Sequence, residues 1–525
     1  MPLELRGTNK SKTALTLPSV IYSRVEFFMG LIQSGVHFSL RQLTRKSHAQ
    51  FLAERKNLRL NQLAILRRLL GQSEKTIWGQ EKGIRVNLSY DQLVAKVRPT
   101  DWNDWSSWVE REKKHNASMA ISVNRYQPTS GSTHKRKWIP YTQSFLNEID
   151  NATGVWIHDL YEQYPGLLNG KHYWSLSWLP SELRQEISNN DLAYFPWLKR
   201  LFLGQVMAMD DSIQRAATSD LARRLTIQKL IDSRELSFIS VWSPTFLLGI
   251  CQDFWNDKSF YAREASKATH KIILQSSCLE DCLKQLWPKL SLISCWQTAD
   301  AASWAKKAQQ LFVGIPFQGK GLFATEGVVS IPVQGKMHLA YQSHFYEFEK
   351  KNGDIVPAFE LKAGDEVGVL ITTGSGLWRY RMGDRVLVEE MIEGCPILQF
   401  LGREHSVDMV GEKLSFDAAR DVLNKLGEKA IIMLANPGDH ILKPGYELVW
   451  EGIAPKGLAE QTEALLKEHH HYLLARELNQ LAPVKVRECT KSGEFFQRLA
   501  QDMNWILGDM KWEALMKLPK NWEQS

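Results

Sequence analysis

Gly376-Leu-Trp-Arg-Tyr-Arg-Met-Gly-Asp-Arg-Val-Leu-Val388 is the stretch from which the rest of the chain is read. Before it, Val367-Gly-Val-Leu-Ile-Thr-Thr373 has the β-branched content of a buried strand, closed by Gly374 and Gly376. After that turn the residues alternate: Leu377, Arg379 and Arg381 point to one face, Trp378, Tyr380 and Met382 to the other. Gly383-Asp384 then breaks the strand, and a further strand leaves with Val386 and Val388. An Asp on such a turn either satisfies its own turn amides or holds a rigid acceptor pair toward a diol, such as that of a ribose. The hairpin alone favours the first reading. Two distant stretches favour the second.

Upstream lies Tyr126-Gln-Pro-Thr-Ser-Gly-Ser-Thr-His-Lys-Arg-Lys-Trp-Ile-Pro-Tyr141. Its small, hydroxylated run Thr129-Ser130-Gly131-Ser132-Thr133 is followed at once by Lys135, Arg136 and Lys137. A flexible backbone with free amides and hydroxyls, backed by fixed cations, suits a polyphosphate. The Gly-Lys-Ser/Thr ending of a P-loop is missing, so the segment is a phosphate cradle of another kind or a polar loop with a basic patch. The third stretch is Gln318-Gly-Lys-Gly-Leu-Phe-Ala-Thr-Glu-Gly-Val-Val-Ser-Ile-Pro332. Leu322-Phe323-Ala324 reads as a short strand delivering Thr325-Glu326-Gly327 to its end, where α/β folds line their ligand crevices. Glu326 there either caps the next turn or holds Mg2+, which takes carboxylate and phosphate oxygens.

Composition narrows the classes. Of 525 residues, 44% are hydrophobic and 23% charged, as in ordinary globular proteins, and at about 100–200 residues per domain the length suggests several domains. No run approaches the roughly 20 apolar residues that span a bilayer; the best, Leu236–Phe254, is interrupted by Ser243-Pro244. The six cysteines lack a framework spacing, which points to a reducing compartment. With no signal peptide read at the N-terminus, a cytoplasmic protein is expected. The net charge of +7 is concentrated near Arg41–Arg68, where leucines interleave with cations. That pattern reads as a solvated face of an amphipathic helix rather than a nucleic-acid surface.

Residues 1–80 read as helical, and 155–320 alternate apolar strands with amphipathic helices. Thr142 is placed to cap the helix that follows Pro140. From Arg403 the texture changes to a small α+β unit, with a helix opening at Ser415, strands near Ile431–Ala435, Tyr446–Trp450 and Val484–Arg487, and one long helix from Leu458 to about Leu481.

A phosphate-wrapping loop, a strand-end Thr-Glu and a turn Asp, in that order and ahead of a small last domain, resemble the adenylate-forming superfamily. More closely, the chain resembles the Gretchen Hagen auxin-responsive family of acyl acid amido synthetases in its bacterial form, over nearly its whole length. The resemblance lies in Thr129–Thr133 with Lys137 and Pro140, Ala324-Thr-Glu-Gly327, Ser343-His-Phe-Tyr-Glu-Phe348, Tyr380-Arg-Met-Gly-Asp384, Phe400-Leu-Gly-Arg403 with Gly411-Glu-Lys413, and Lys517-Leu-Pro519. It implies an α/β adenylate-forming fold. A large N-terminal domain, residues 1–405, would contain β-sheets and a β-barrel-like part, and residues 406–525 would form a small mobile α+β lid.

The family reaction has two halves. A carboxylic acid is activated by ATP as acyl-AMP with release of pyrophosphate, and the acyl group then passes to an amine, usually of an amino acid. ATP and Mg2+ are the implied cofactors, and small-molecule acids and amines the implied partners. By the resemblance, Ser130, Ser132, Thr133 and Lys137, around Gly131, hold the β- and γ-phosphates. Thr325 meets the α-phosphate, Glu326 the Mg2+ and Asp384 the ribose. Arg403 lies at the domain hinge near the ribose, with Lys413 just beyond. Here the phosphate loop is one residue shorter than the plant pattern, and the family's terminal Pro-Arg is Pro519-Lys520.

Phe345 and Tyr346 are expected near the acyl cleft, and the acid is expected to be aromatic or otherwise apolar. Lys517 is expected to act on the α-phosphate when the lid closes: in an extended segment, Met516 and Leu518 share one side and Lys517 takes the other. The alternatives are a ligase that uses coenzyme A as acceptor and a nucleotide-binding relative without turnover.

Overall fold

The computed structural model describes residues 19–129, 137–175, 206–209, 212–213, 216, 218–403, 406–407, 409–410, 412, 414–438, 443–477, 480–503 and 513–518. Two long helices, Ser19–Glu54 and Leu58–Ser73, open the chain. The second buries Leu58, Leu66, Leu69 and Leu70 on one side and exposes Arg59 and Arg67 on the other, while Arg68 turns to the buried Glu148.

A hairpin follows, β1 (Val123–Pro128) and β2 (Trp138–Thr142). Thr142 ends it and starts the helix Gln143–Gln163, its Oγ1 accepting from Phe145 N at 3.0 Å, a normal N-cap bond. The next sheet is parallel, with strands β3 (Lys171–Trp174), β4 (Leu236–Ser240), β5 (Leu292–Cys295) and β6 (Phe317–Gly319) adjacent in that order. The apolar run near residue 240 divides as its punctuation dictates. The strand β4 ends, Ser243 caps, and Pro244 opens the helix Pro244–Asn256, where a missing N–H costs nothing. A two-stranded hairpin, β7 (Phe323–Ala324) and β8 (Gly327–Val328), leads into the largest sheet.

That sheet has seven antiparallel strands in the order β12-β11-β13-β14-β15-β10-β9, with β12 and β9 at its edges. In chain order they are β9 (Ser330–Val333), β10 (Lys336–Leu339), β11 (Phe345–Lys350), β12 (Ile355–Pro357), β13 (Glu366–Thr372), β14 (Tyr380–Ile392) and β15 (Cys395–Arg403). After β16 (Ser406–Val407) and β17 (Leu414–Ser415) comes the helix Phe416–Leu426. A four-stranded sheet then forms from β18 (Ala430–Asn436), β19 (Gly445–Glu451), β20 (Lys485–Cys489) and β21 (Leu515–Lys517), in the order β20-β19-β18-β21.

The cores follow the sheets. One runs from the N-terminal helices through the seven-stranded sheet, and a second surrounds β3–β6. Two more cover the faces of the four-stranded sheet, the last of them reaching Trp304.

Three expectations need correction. Gly383-Asp384 does not break the strand. The strand β14 runs on from Tyr380 to Ile392 and bulges, so that Met382, Gly383 and Asp384 lie between the rungs Leu370↔Arg381 and Gly368↔Arg385. Gly383 supplies the positive φ of +76° that the bulge requires. The alternation expected from Leu377 also fails, because residues 373–379 form a compact turn and the strand starts only at Tyr380. The long helix from Leu458 is in fact two, Leu458–Lys467 and His470–Glu477. The first closes with i→i+3 bonds from Glu468 N and His469 N, the tightened geometry of a helix end.

Candidate active site

The hairpin β1–β2 ties the three distant stretches together. Thr129 N donates to Lys137 O at 2.9 Å and closes the loop between the strands. Ser130, Gly131, Ser132 and Thr133 lie outside the described residues. Lys137 Nζ donates to Tyr380 Oη at 3.1 Å and lies 5.8 Å from the centre of that ring, at the start of β14. Four residues on from Lys137, in β2, Tyr141 Oη donates to Thr325 O at 3.1 Å, and Thr142 Oγ1 donates to Gly374 O at 2.7 Å.

Thr325 and Glu326 form the turn of β7–β8 and are half-buried. The far strand of that hairpin is held by a short relay. Val328 N donates to His344 Nε2 at 3.0 Å, so the ring proton is on Nδ1, which is 2.7 Å from Glu148 Oε2. Glu148 also accepts from Gly374 N at 3.1 and 3.0 Å and from the Arg68 guanidinium at 2.8 Å. One buried carboxylate therefore fixes both the β7–β8 hairpin and the turn before β14. Sequence reasoning passed over Glu148. A signal was present: it lies three residues after Phe145, on the helix face that is otherwise apolar.

Asp384 is buried, 1% exposed, and its Cα is paired with Arg403 on β15. The turn that aims β14 is rigid. Gly376 adopts φ +92°, and a Cβ there would lie 2.6 Å from Met119 O. Arg379 takes φ +48°, uncommon for a residue with a side chain. Its Nε bonds both Glu347 oxygens at 3.0 Å, and one terminal nitrogen reaches Val97 O at 2.6 Å. Tyr90 Oη adds a bond to Glu347 at 2.9 Å; burial first, and the Glu347 charge second, raise the Tyr90 phenol well above its ordinary range. This buried network makes Arg379 a support of the turn. Arg381, by contrast, is exposed and paired with Glu349 at 2.7 Å.

The remaining expected residues divide. Phe345 and Tyr346 are fully buried in the large sheet, with Tyr346 Oη bonded to Val328 O at 2.6 Å and Ala340 O at 2.9 Å. Neither lines the cavity described next. Lys413 lies outside the described residues, as does Lys520. Lys517 ends β21 beside Ala435, exposed between buried Met516 and Leu518, the arrangement its flanking residues called for.

A cavity of about 220 Å3 opens where the parallel and seven-stranded sheets meet. Lys320, Trp296, Trp304, Phe400 and Phe416 line it, together with Gly402, one residue before Arg403. Burial pushes the thiol of Cys295, next to Trp296, up to about 12, against the pull of the Lys320 ammonium, so it stays neutral. The Glu326 carboxylate, half-exposed on a turn, fits a cation that takes most of its oxygens from a nucleotide and water. Among the described residues no group of three or more His, Cys, Asp or Glu could hold a metal by itself, and no helix is long and apolar enough to cross a membrane.

Residues 47–269 match the model of the GH3 family N-terminal domain, and residues 337–403 that of the GH3 family central domain. The indole-3-acetic acid-amido synthetase GH3.10 of Arabidopsis thaliana is 23% identical over 244 residues, 39% of this chain and 41% of the relative. The jasmonoyl–L-amino acid synthetase JAR4 of Nicotiana attenuata is 32% identical over 119 residues, 21% of this chain and 19% of the relative. The matched segments thus span less than half of these curated relatives. In three dimensions the likeness is broader. The acyl acid amido synthetase AtGH3.15 in complex with 2,4-DB superposes with a TM-score of 0.72 over 91% of this chain and 94% of its own, at 15% identity. That likeness establishes the fold.

Proposed function

The chain belongs to the GH3 family, and from that premise we propose that it is an ATP-dependent acyl acid amido synthetase, a carboxylic acid–amine ligase that works through an acyl adenylate. The observation that carries the reading is that one hairpin bonds to both other stretches, Lys137 to Tyr380 and Tyr141 to Thr325. A phosphate loop on that hairpin would face the Thr325–Glu326 turn and the Asp384 bulge together.

In the first half-reaction a carboxylate oxygen attacks the α-phosphorus of ATP, the bond to the bridging oxygen breaks, and pyrophosphate leaves. The need is charge neutralisation and alignment rather than proton transfer. Lys137 and the small residues Ser130, Gly131, Ser132 and Thr133 would hold the β- and γ-phosphates. Thr325 would meet the α-phosphate, and Asp384 the ribose hydroxyls, beside Arg403. Glu326 with the phosphate oxygens would hold Mg2+, which supplies further charge neutralisation on the leaving pyrophosphate. In the second half an amine attacks the acyl carbon, the C–O bond to AMP breaks, and the amine's proton goes to solvent.

Residues 406–525 would act as the lid over residues 1–405, with Lys413 near the hinge and Lys517 delivered on closure. The two half-reactions need different surroundings, which a hinged unit can supply. The acid would be aromatic or largely apolar, as the aromatic lining of the cavity suggests. All six cysteines are free thiols, which fits a reducing compartment such as the cytoplasm. The test is exchange of labelled pyrophosphate into ATP across a panel of aryl, indolyl and fatty acids. Acid-dependent exchange supports the reading, and its absence across the panel removes it.

A further inference from the structure

The carboxyl end of the parallel sheet carries polar atoms that neither the fold nor the adenylation chemistry above uses. Lys320, directly after β6, reaches back to β4, where its Nζ donates to Ser240 Oγ at 2.7 Å. Three indoles surround the ammonium, their centres at 4.7 Å (Trp242), 4.9 Å (Trp156) and 5.8 Å (Trp174), all within the ~6 Å over which a ring face attracts a cation. At the same end of the sheet three buried polar atoms have no hydrogen-bond partner among the described residues: Trp174 Nε1 at the end of β3, Ser294 Oγ in β5, and Gln297 Nε2 just after it. Buried donors are almost always satisfied, so each orphan asks for an explanation. A cation and three donors at the ends of adjacent parallel strands make a site for an acceptor-rich anion, in the crevice where such sheets bind ligands.

The site also has a direction. Phe323, two residues before Thr325, packs on Trp156 at 5.9 Å and Trp242 at 6.1 Å. The aromatic surface therefore continues from Lys320 toward the Thr325–Glu326 turn. We propose that Lys320 and its indoles form the distal end of the acyl subsite, and that the acid activated here has a flat, apolar body bearing a second carboxylate remote from the reacting one. This rests on the adenylation reading above. The body lies on the indoles, and the second carboxylate meets the half-buried ammonium. The contact is equal in ground and transition states, so it acts on KM rather than kcat.

The test is acid-dependent pyrophosphate exchange on matched pairs, benzoate against terephthalate and phenylacetate against 4-carboxyphenylacetate, for the parent, Lys320→Met and Lys320→Arg. The parent is expected to favour the diacid of each pair at least tenfold in kcat/KM, through KM. In Lys320→Met that ratio falls at least tenfold, while Lys320→Arg keeps most of it. If Lys320→Met does not fold, Lys320→Gln, which keeps a polar head near Ser240 but removes the charge, carries the same comparison. Quenching of tryptophan emission by terephthalate, read without turnover, is expected in the parent and lost with Lys320→Met. Equal kcat/KM within pairs, a ratio unchanged by Lys320→Met, or preference for 4-hydroxybenzoate over terephthalate overturns the diacid assignment and leaves adenylation standing. Exchange with no acid in the parent overturns the adenylation reading itself.

Discussion

His338 on β10 offers a quantitative test of the packing account. Its neighbour Met337 lines the cavity, and alternation along the strand turns His338 to the other face. There it is fully buried, its ring 6.0 Å from Phe51, and neither ring nitrogen has a hydrogen-bond partner among the described residues. Burial, with help from Arg55 and Lys336 and against Asp159 and Glu390, pushes its pKa down from 6.5 to about 4. The sign follows from proton counting. Between these two values the unfolded chain binds a proton that the folded chain refuses, so this contribution to stability is intact above 6.5 and is lost as pH falls toward 4. At pH 5 the linkage relation gives a loss of about 2 kcal/mol relative to pH 8.

His338→Leu conserves volume approximately and abolishes this dependence. At pH 8 it also removes two buried unpaired nitrogens, a gain of roughly 1–3 kcal/mol. The assay is urea unfolding of parent and variant at pH 8 and pH 5, with pyrophosphate exchange per folded molecule as the control. The variant's advantage is expected to grow by about 2 kcal/mol on acidification. A difference that is independent of pH refutes the buried, neutral His338.

Asp384→Ala and Glu326→Ala should both lose acyl-adenylate formation, the first mainly by raising the ATP requirement and the second mainly by lowering the rate; a variant that exchanges pyrophosphate like the parent removes its assignment. Lys517→Ala should slow single-turnover adenylation strongly while equilibrium ATP affinity stays nearly intact, because the contact forms only on closure; an unchanged single-turnover rate returns Lys517 to a structural role. Glu347→Ala strands the buried Arg379 guanidinium, now held at 2.9–3.0 Å, and should cost about 3–5 kcal/mol in chemical denaturation. A cost under about 1 kcal/mol would mean that this pair does not support the turn.

Much of this arrangement was legible in the sequence because local chemistry set it. Thr142 as a cap, the division of Leu236–Phe254 at Ser243-Pro244, and the delivery of Thr325-Glu326 by a two-residue strand all follow from neighbouring residues. Lys517 between buried Met516 and Leu518 needed only strand alternation. What was missed depends on partners far along the chain. Gly383-Asp384 has the composition of a turn, yet β13 and β15 pair on both sides of it, and the extra residues bulge instead of ending the strand. Glu148 and His344, 196 residues apart, meet only through the fold. Phe345 and Tyr346 look like cleft aromatics in isolation, but the large sheet, with neighbours on both sides of β11, makes them core.

Incorporation of labelled pyrophosphate into ATP by the parent protein, with and without a carboxylic acid, bears most directly on the central claim. An amido synthetase that works through an acyl adenylate gives no exchange without acid, exchange with a suitable aromatic acid, and conversion of that signal to amide and AMP when an amine is added. Acid-independent exchange, release of ADP and phosphate in place of AMP and pyrophosphate, or a thioester formed with coenzyme A and no amide with any amine would contradict it.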